Sequence, residues 1–161
     1  MIIGIDNGLD GGLVAVSECT GGVIAKTVMP TFHKAGKREV DSRKVYDWIM
    51  LLNPNIEELI LAVEEPLHHA KSSQAVRSMG ISFGKLIGMC ENRGWAHCRV
   101  SVHKWQKKML GSIPKGKTKE AAVWKAECLA PEECWQKSKR ATKPHDGMVD
   151  AFLIARYVIG K

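Results

Sequence analysis

The chain has 161 residues, is 45% hydrophobic and carries a formal net charge of +7 at pH 7. A chain of this size suits one domain, residues 1–161, that buries roughly 70% of the surface its unfolded form exposes, and a second domain is not expected. No apolar run is long enough to span a bilayer and no basic segment precedes a hydrophobic one, so neither a membrane span nor a secretory leader is expected, and the protein reads as soluble and cytoplasmic.

Met1-Ile2-Ile3-Gly4-Ile5-Asp6-Asn7-Gly8 is a short apolar run that ends on a carboxylate and a glycine. It is too short for a helix and rich in β-branched residues, so it reads as a buried strand with an acid at its tip. Two readings of Asp6 stand side by side here: the start of an Asp-Asn-Gly turn, or a site at the strand end that needs a cation or a hydrogen-bond partner. Gly11-Gly12 then makes a turn, Leu13 to Val16 a second strand, Thr20-Gly21-Gly22 another turn and Val23 to Met29 a third strand. Pro30 to Glu39 is polar and basic and reads as a flexible connection. Asp41 or Ser42 caps a helix through Leu52, with Val45, Trp48, Ile49 and Leu52 on one face and Asn53-Pro54 closing it.

Leu59 to Val63 is a second apolar run that ends on acid, Glu64-Glu65-Pro66. Its unbroken hydrophobicity predicts a central strand beside the first, which would bring Asp6 and Glu64 to one edge. A long helix follows from about Ser72 to Asn92, with Gly80, Gly84 and Gly88 at four-residue spacing leaving a smooth flank for a backbone or a second subunit. Arg99 to Val102 reads as a strand and His103 to Leu110 as a short basic helix. Gly111 to Thr118 matches G-x-x-x-x-G-K-[ST] at every fixed position. A phosphate-binding loop of that kind springs from a buried strand, whereas Lys104 to Leu110 is helical in pattern, so an ATP site is the weaker reading and a lysine-rich loop meeting a DNA phosphate the stronger. Thr118 caps a helix through about Leu129, and Pro131 breaks it. In the last helix Asp146, Asp150, Ile154 and Val158 recur every fourth residue, which places two carboxylates above an apolar stripe.

Between Arg99 and Lys143 twelve lysines and arginines face four glutamates, and Trp105, Trp124 and Trp135 are interleaved. A solvated lysine-rich face is the plain explanation, but clustering in one third of the chain favours a polyanion, most simply nucleic acid. The expected DNA contacts are Lys104, Lys107, Lys108, Lys115, Lys117, Lys119, Lys139, Arg140 and Lys143, with Lys71 and Arg77 upstream. Five cysteines, Cys19, Cys90, Cys98, Cys128 and Cys134, form no CxxC pair and are odd in number, so they are expected to be reduced and mostly to pack rather than to hold zinc. Four acids from separate segments, Asp6, Glu64, Asp146 and Asp150, converge in this reading and would repel one another unless divalent cations intervene. Carboxylates select hard ions such as Mg²⁺ or Mn²⁺, and two of them would serve phosphodiester hydrolysis.

The order of elements, with Gly4-Ile5-Asp6-Asn7-Gly8 first, Ala62-Val63-Glu64 in the middle and Asp146-Gly147-Met148-Val149-Asp150-Ala151 last, resembles the RuvC family of Holliday junction resolvases in the RNase H-like superfamily. It is most similar to the compact versions found in bacteriophages. The resemblance implies an α/β, RNase H-like fold with a five-stranded mixed sheet flanked by helices. It implies a homodimeric, metal-dependent endonuclease that nicks four-way DNA junctions, with Asp6, Glu64 and Asp150 as metal ligands. Bacterial members commonly place the fourth acid three residues before the last one, where this chain has Gly147; Asp146 sits four before, and His145 is a further candidate ligand or proton acceptor. Other readings are an RNase H-like nuclease acting on RNA, flaps or hybrids, a P-loop nucleotide-binding protein, and a module that binds junctions without cutting them.

Overall fold

The computed structural model describes residues 1–67 and 72–160. The runs of β-branched residues form the strands β1 (Ile2–Asp6), β2 (Gly12–Val16) and β3 (Val23–Val28), and the second acid-ended run forms β6 (Ile60–Glu64). With β7 (Ala96–Val100) they make a five-stranded sheet in the order β3-β2-β1-β6-β7. The β3-β2-β1 half is antiparallel, while β1, β6 and β7 run parallel. Ile5 pairs with Val63, so both acid-bearing ends, Asp6 and Glu64, emerge from the same edge. Parallel strands covered on both faces must be apolar throughout, which explains why β1 and β6 lack polar residues before their tips.

The period-2 alternation of these strands divides the core in two. Ile3, Ile5, Leu61 and Val63 point to a layer formed by α1 (Ser42–Leu51) and α2 (Ser73–Arg93), where Val45, Ile49, Leu86 and Cys90 meet them. Ile2, Val14 and Ala62 point the other way, to Trp105 of α3 (Val102–Leu110), Ala122 and Ala126 of α4 (Thr118–Leu129), and most of α5 (Asp146–Val158). Asp6 and Glu64 share the parity of Ile2 and Ala62, so they belong to the α5 face.

Helix α5 lies unusually close to the sheet. Any side chain at Gly4 would overlap the backbone of Ala151, and a Cβ at Gly147 would sit 2.5 Å from the Asp10 carbonyl oxygen. Gly11 and Gly147 form a parallel bridge at this contact.

Several boundaries differ from the sequence reading. Pro30 to Glu39 is not a flexible connection but a hairpin of β4 (Thr31–Lys34) and β5 (Lys37–Val40), a separate two-stranded sheet. Its turn residues Ala35 and Gly36 have φ of 48° and 74°, the left-handed pair that a two-residue hairpin turn demands, and composition alone hides that signal. The Gly11-Gly12 turn lies earlier, since Gly12 already opens β2, and the strand expected at 99–102 ends at Val100. Thr118 does not cap α4: Lys117 occupies the cap position and makes no side-chain bond there. Of the five cysteines only Cys90 is fully buried, and Cys19, Cys128 and Cys134 are exposed rather than packing.

The close approach of α5 makes a direct prediction. Gly4→Ala should destabilise the fold by about 3 kcal/mol or more in urea denaturation, because backbone must move to admit a methyl group. Gly80→Ala, where an added Cβ would meet nothing beyond its own helix within 4 Å among the described residues, should instead stabilise it by about 0.5–1 kcal/mol.

Candidate metal centre and nucleic-acid groove

Asp6, Asp146 and Asp150 line one groove of about 1300 Å³, and Glu64 is buried beside them. Parallel pairing of β1 with β6 brings Asp6 and Glu64 together, and the first two turns of α5 bring Asp146 and Asp150 over the same sheet edge. The groove is walled by the hairpin residues Lys37 and Arg38 on one side and by Arg77 and its neighbours in α2 on another, with Lys119 beside Asp146.

Each acid is held differently. Asp6 accepts the Gly8 amide at 3.0 Å through Oδ1. Burial nevertheless raises its pKa to about 6, against that hydrogen bond and with help from the charges of Asp10 and Asp146. Glu64 accepts the indole N–H of Trp105 at 2.6 Å, and Asn7, itself fully buried, donates to the Glu64 backbone carbonyl at 2.5 Å. Burial first, then the Asp6 charge, pushes Glu64 up to about 8, with Trp105 opposing. Burial and the charges of Asp6 and Asp146 raise Asp150 to about 7. Asp146 is exposed and forms an ion pair with Lys119, which raises the pKa of that lysine.

His145 is the N-cap of α5: its Nδ1 accepts the Met148 amide at 3.3 Å. That bond commits the neutral ring to a proton on Nε2, and burial, followed by the charge of Lys137, keeps its pKa below the ordinary value. Asp146 is therefore free of the capping role and available to the groove. The acid sits at 146 rather than 147 for a steric reason: Gly147 is pressed against Gly11, and no side chain fits there.

Of the expected DNA contacts, Arg77 and Lys119 line the groove. Lys104, Lys107 and Lys108 are exposed on α3, Lys115 and Lys117 on the loop before α4, and Lys139, Arg140 and Lys143 on the segment before α5. Lys104 lines a second pocket, with Arg99 and Tyr157. Lys71 falls outside the described residues. The Gly111 to Thr118 loop follows helix α3 instead of a strand, and Lys117 is paired with Glu120 at 2.8 Å, so the surroundings of a nucleotide phosphate loop are missing among the described residues. Trp105, Asn7, Lys37 and Arg38 were not legible as site residues. Trp105 sits in a basic helix and looks like core, and the hairpin pair lies in a segment with no strand signal.

Among the described residues no three histidine, cysteine, aspartate or glutamate side chains converge into a ready coordination shell. The donor set still fits a hard divalent cation. It is all oxygen, three of its members are desolvated, and neighbouring acids raise the pKa of each, a conflict that a bound cation would relieve.

The fold is the RNase H-like one, a mixed five-stranded sheet flanked by helices. Within it, the chain is similar to two solved structures of RuvC from T. thermophilus. The one in complex with a Holliday junction substrate is 16% identical, with a TM-score of 0.65 over 97% of this chain and 90% of that one. The other is 19% identical, with a TM-score of 0.56 over 97% and 91%. No protein-family model and no curated protein sequence matches the chain.

Two predictions follow from these contacts. Asp6, Glu64 and Asp150 hold their protons more tightly folded than unfolded, so the folded protein binds more protons between about pH 4 and pH 8. Metal-free protein should therefore lose stability as pH rises through that window, and millimolar Mn²⁺ should raise Tm more at pH 8 than at pH 5. Calorimetry with Asp150→Asn should show a shallower decline. Trp105→Phe removes the donor to Glu64 while keeping an aromatic ring, and isothermal titration should record about tenfold weaker Mn²⁺ binding, since such supporting bonds are typically worth 10–100-fold.

Proposed function

We propose that this protein is a metal-dependent, structure-specific endonuclease that nicks branched DNA, four-way junctions above all, by phosphodiester hydrolysis. The observation that carries the reading is the set of three carboxylates, Asp6, Asp146 and Asp150, lining one groove with cationic walls, with Glu64 buried beside them. The similarity to RuvC structures, one of them solved with a Holliday junction substrate, supports the choice of substrate class.

Asp6, Glu64 and Asp150 would hold Mg²⁺ or Mn²⁺, two ions per site, with Asp146 as the fourth ligand once Lys119 releases it. When bound, such ions supply an activated water and stabilise the leaving oxygen. The chain's own residues do the rest. Trp105 fixes the Glu64 carboxyl, the Gly8 amide orients Asp6, and Lys119 and Arg77 offer positive charge to the phosphates beside the acids. His145 holds the first turn of α5, which carries both Asp146 and Asp150. The basic residues of α3, the α4 loop and the 139–143 segment extend the positive surface beyond the groove.

The protein acts as a homodimer in this reading, so that two sites nick two strands of one junction. The flank of α2 bearing Gly80, Gly84 and Gly88 has no other side chain of the described residues within 4 Å of where a Cβ would sit, and suits close approach of a second copy.

A labelled four-way junction incubated with Mg²⁺ or Mn²⁺ should be nicked by the wild type, and Asp6→Asn should lose at least 10²-fold in rate. Equal rates in the two would sink the mechanism, and intact strands at every metal concentration would mark a binding module. Preference for flaps, RNA or RNA–DNA hybrids in the same assay would redirect the assignment within the superfamily. Light scattering should give a dimer at micromolar concentration, shifted toward monomer by Gly84→Glu.

A further inference from the structure

We infer that the β4–β5 hairpin is a DNA-backbone clamp on the wall of the acidic groove. This rests on the nuclease reading above and adds to it a contact surface that the expected DNA-binding residues do not include.

The hairpin's pairing is electrostatically unfavourable in isolation. Lys34 is the cross-strand partner of Lys37, and His33 is the partner of Arg38. Directly opposed side chains on an antiparallel pair have Cβ atoms about 5 Å apart, and like charges so placed destabilise it. A two-stranded sheet is marginal on its own, so this one depends on its anchors. Val40 is buried in the core at its base, Lys85 of α2 bonds Glu39 at 2.6 Å and lies over the Phe32 ring, and Arg38 bonds Asp10 at 2.6 Å. The anchors hold the base and one face, while residues 33–37 at the tip stay exposed.

A segment held this firmly, with like charges opposed at its tip, is arranged for an anion. Gly36, Lys37 and Arg38 line the same groove as Asp6, Asp146 and Asp150, with Arg77 and Ser78 of α2 across from them. The Arg38 guanidinium is about 35% exposed, and its bond to Asp10 fixes it at the groove wall. A phosphodiester chain whose scissile bond reaches the acids must run between the hairpin and α2. Its phosphates would meet Lys37 and Arg38 on one side and Arg77 on the other. Phosphate charge there neutralises the Lys34–Lys37 repulsion, so the unfavourable pairing of the free protein becomes a contribution to binding.

The test uses full-length protein and a labelled synthetic four-way junction in EDTA, where binding proceeds without cleavage. Lys34→Gln/Lys37→Gln should weaken binding about tenfold and reduce the slope of log Kd against log salt by about 1, since Lys37 meets a phosphate and each lost contact is worth about 0.9. The same variant should keep or raise Tm, because it removes the opposed charges, whereas a hairpin with a merely structural role would lose Tm and keep the salt slope. Lys34→Arg/Lys37→Arg should restore affinity and slope. Lys44→Gln, on α1, should change neither. Unchanged affinity and slope in the glutamine variant, with wild type binding normally, would overturn the clamp and leave the nuclease reading standing. Wild type that ignores every DNA and instead binds poly-glutamate through Lys34 and Lys37 would overturn both.

Discussion

The whole arrangement depends on how closely α5 can approach β1 and β2. Glycines at 4, 12 and 147 remove the side chains that would hold the helix off the sheet, and the two backbones come into contact. Only at that distance does the start of α5 reach the tip of β1. The carboxylates come from residues nearly a chain length apart in sequence, and this contact fixes their relation. Residues buried on the same helix, such as Phe152 and Ile154, then supply the apolar area that keeps it seated.

The acids are costly where they lie. Three of them are desolvated, and neighbouring acids raise the pKa of each further, so the protein concentrates unfavourable electrostatics in one place. Cationic side chains surround this region without cancelling it: Lys119 pairs with the most exposed acid, and Arg38 with Asp10 outside the cluster. Such a pattern, negative at the floor and positive at the walls, fits the donor set of a hard cation beside a surface suited to an anion. A site built only for stability would place its opposite charges in contact.

Much of this was legible in the sequence, because the strongest signals were periodic. Two apolar runs ending in acid gave β1 and β6, their continuous hydrophobicity gave their central positions, and the four-residue recurrence of Asp146 and Asp150 gave α5 and its facing. The hairpin was missed because its strands are four residues long, polar and fixed by a turn whose left-handed Ala35 has no compositional mark. Trp105 was missed because a buried indole and a ligand-positioning indole look alike until the partner of the N–H is known. His145, and not an acid, caps α5, a choice decided by backbone geometry at the loop end.

The sheet order β3-β2-β1-β6-β7 has a consequence for synthesis. The first strand of the chain lies at the middle of the sheet, and the last helix closes over it. A nascent chain that has emerged through β7 holds Asp6 and Glu64 side by side but lacks Asp146 and Asp150. Truncated or stalled products therefore lack half of the acid cluster, which is complete only once translation has passed residue 150.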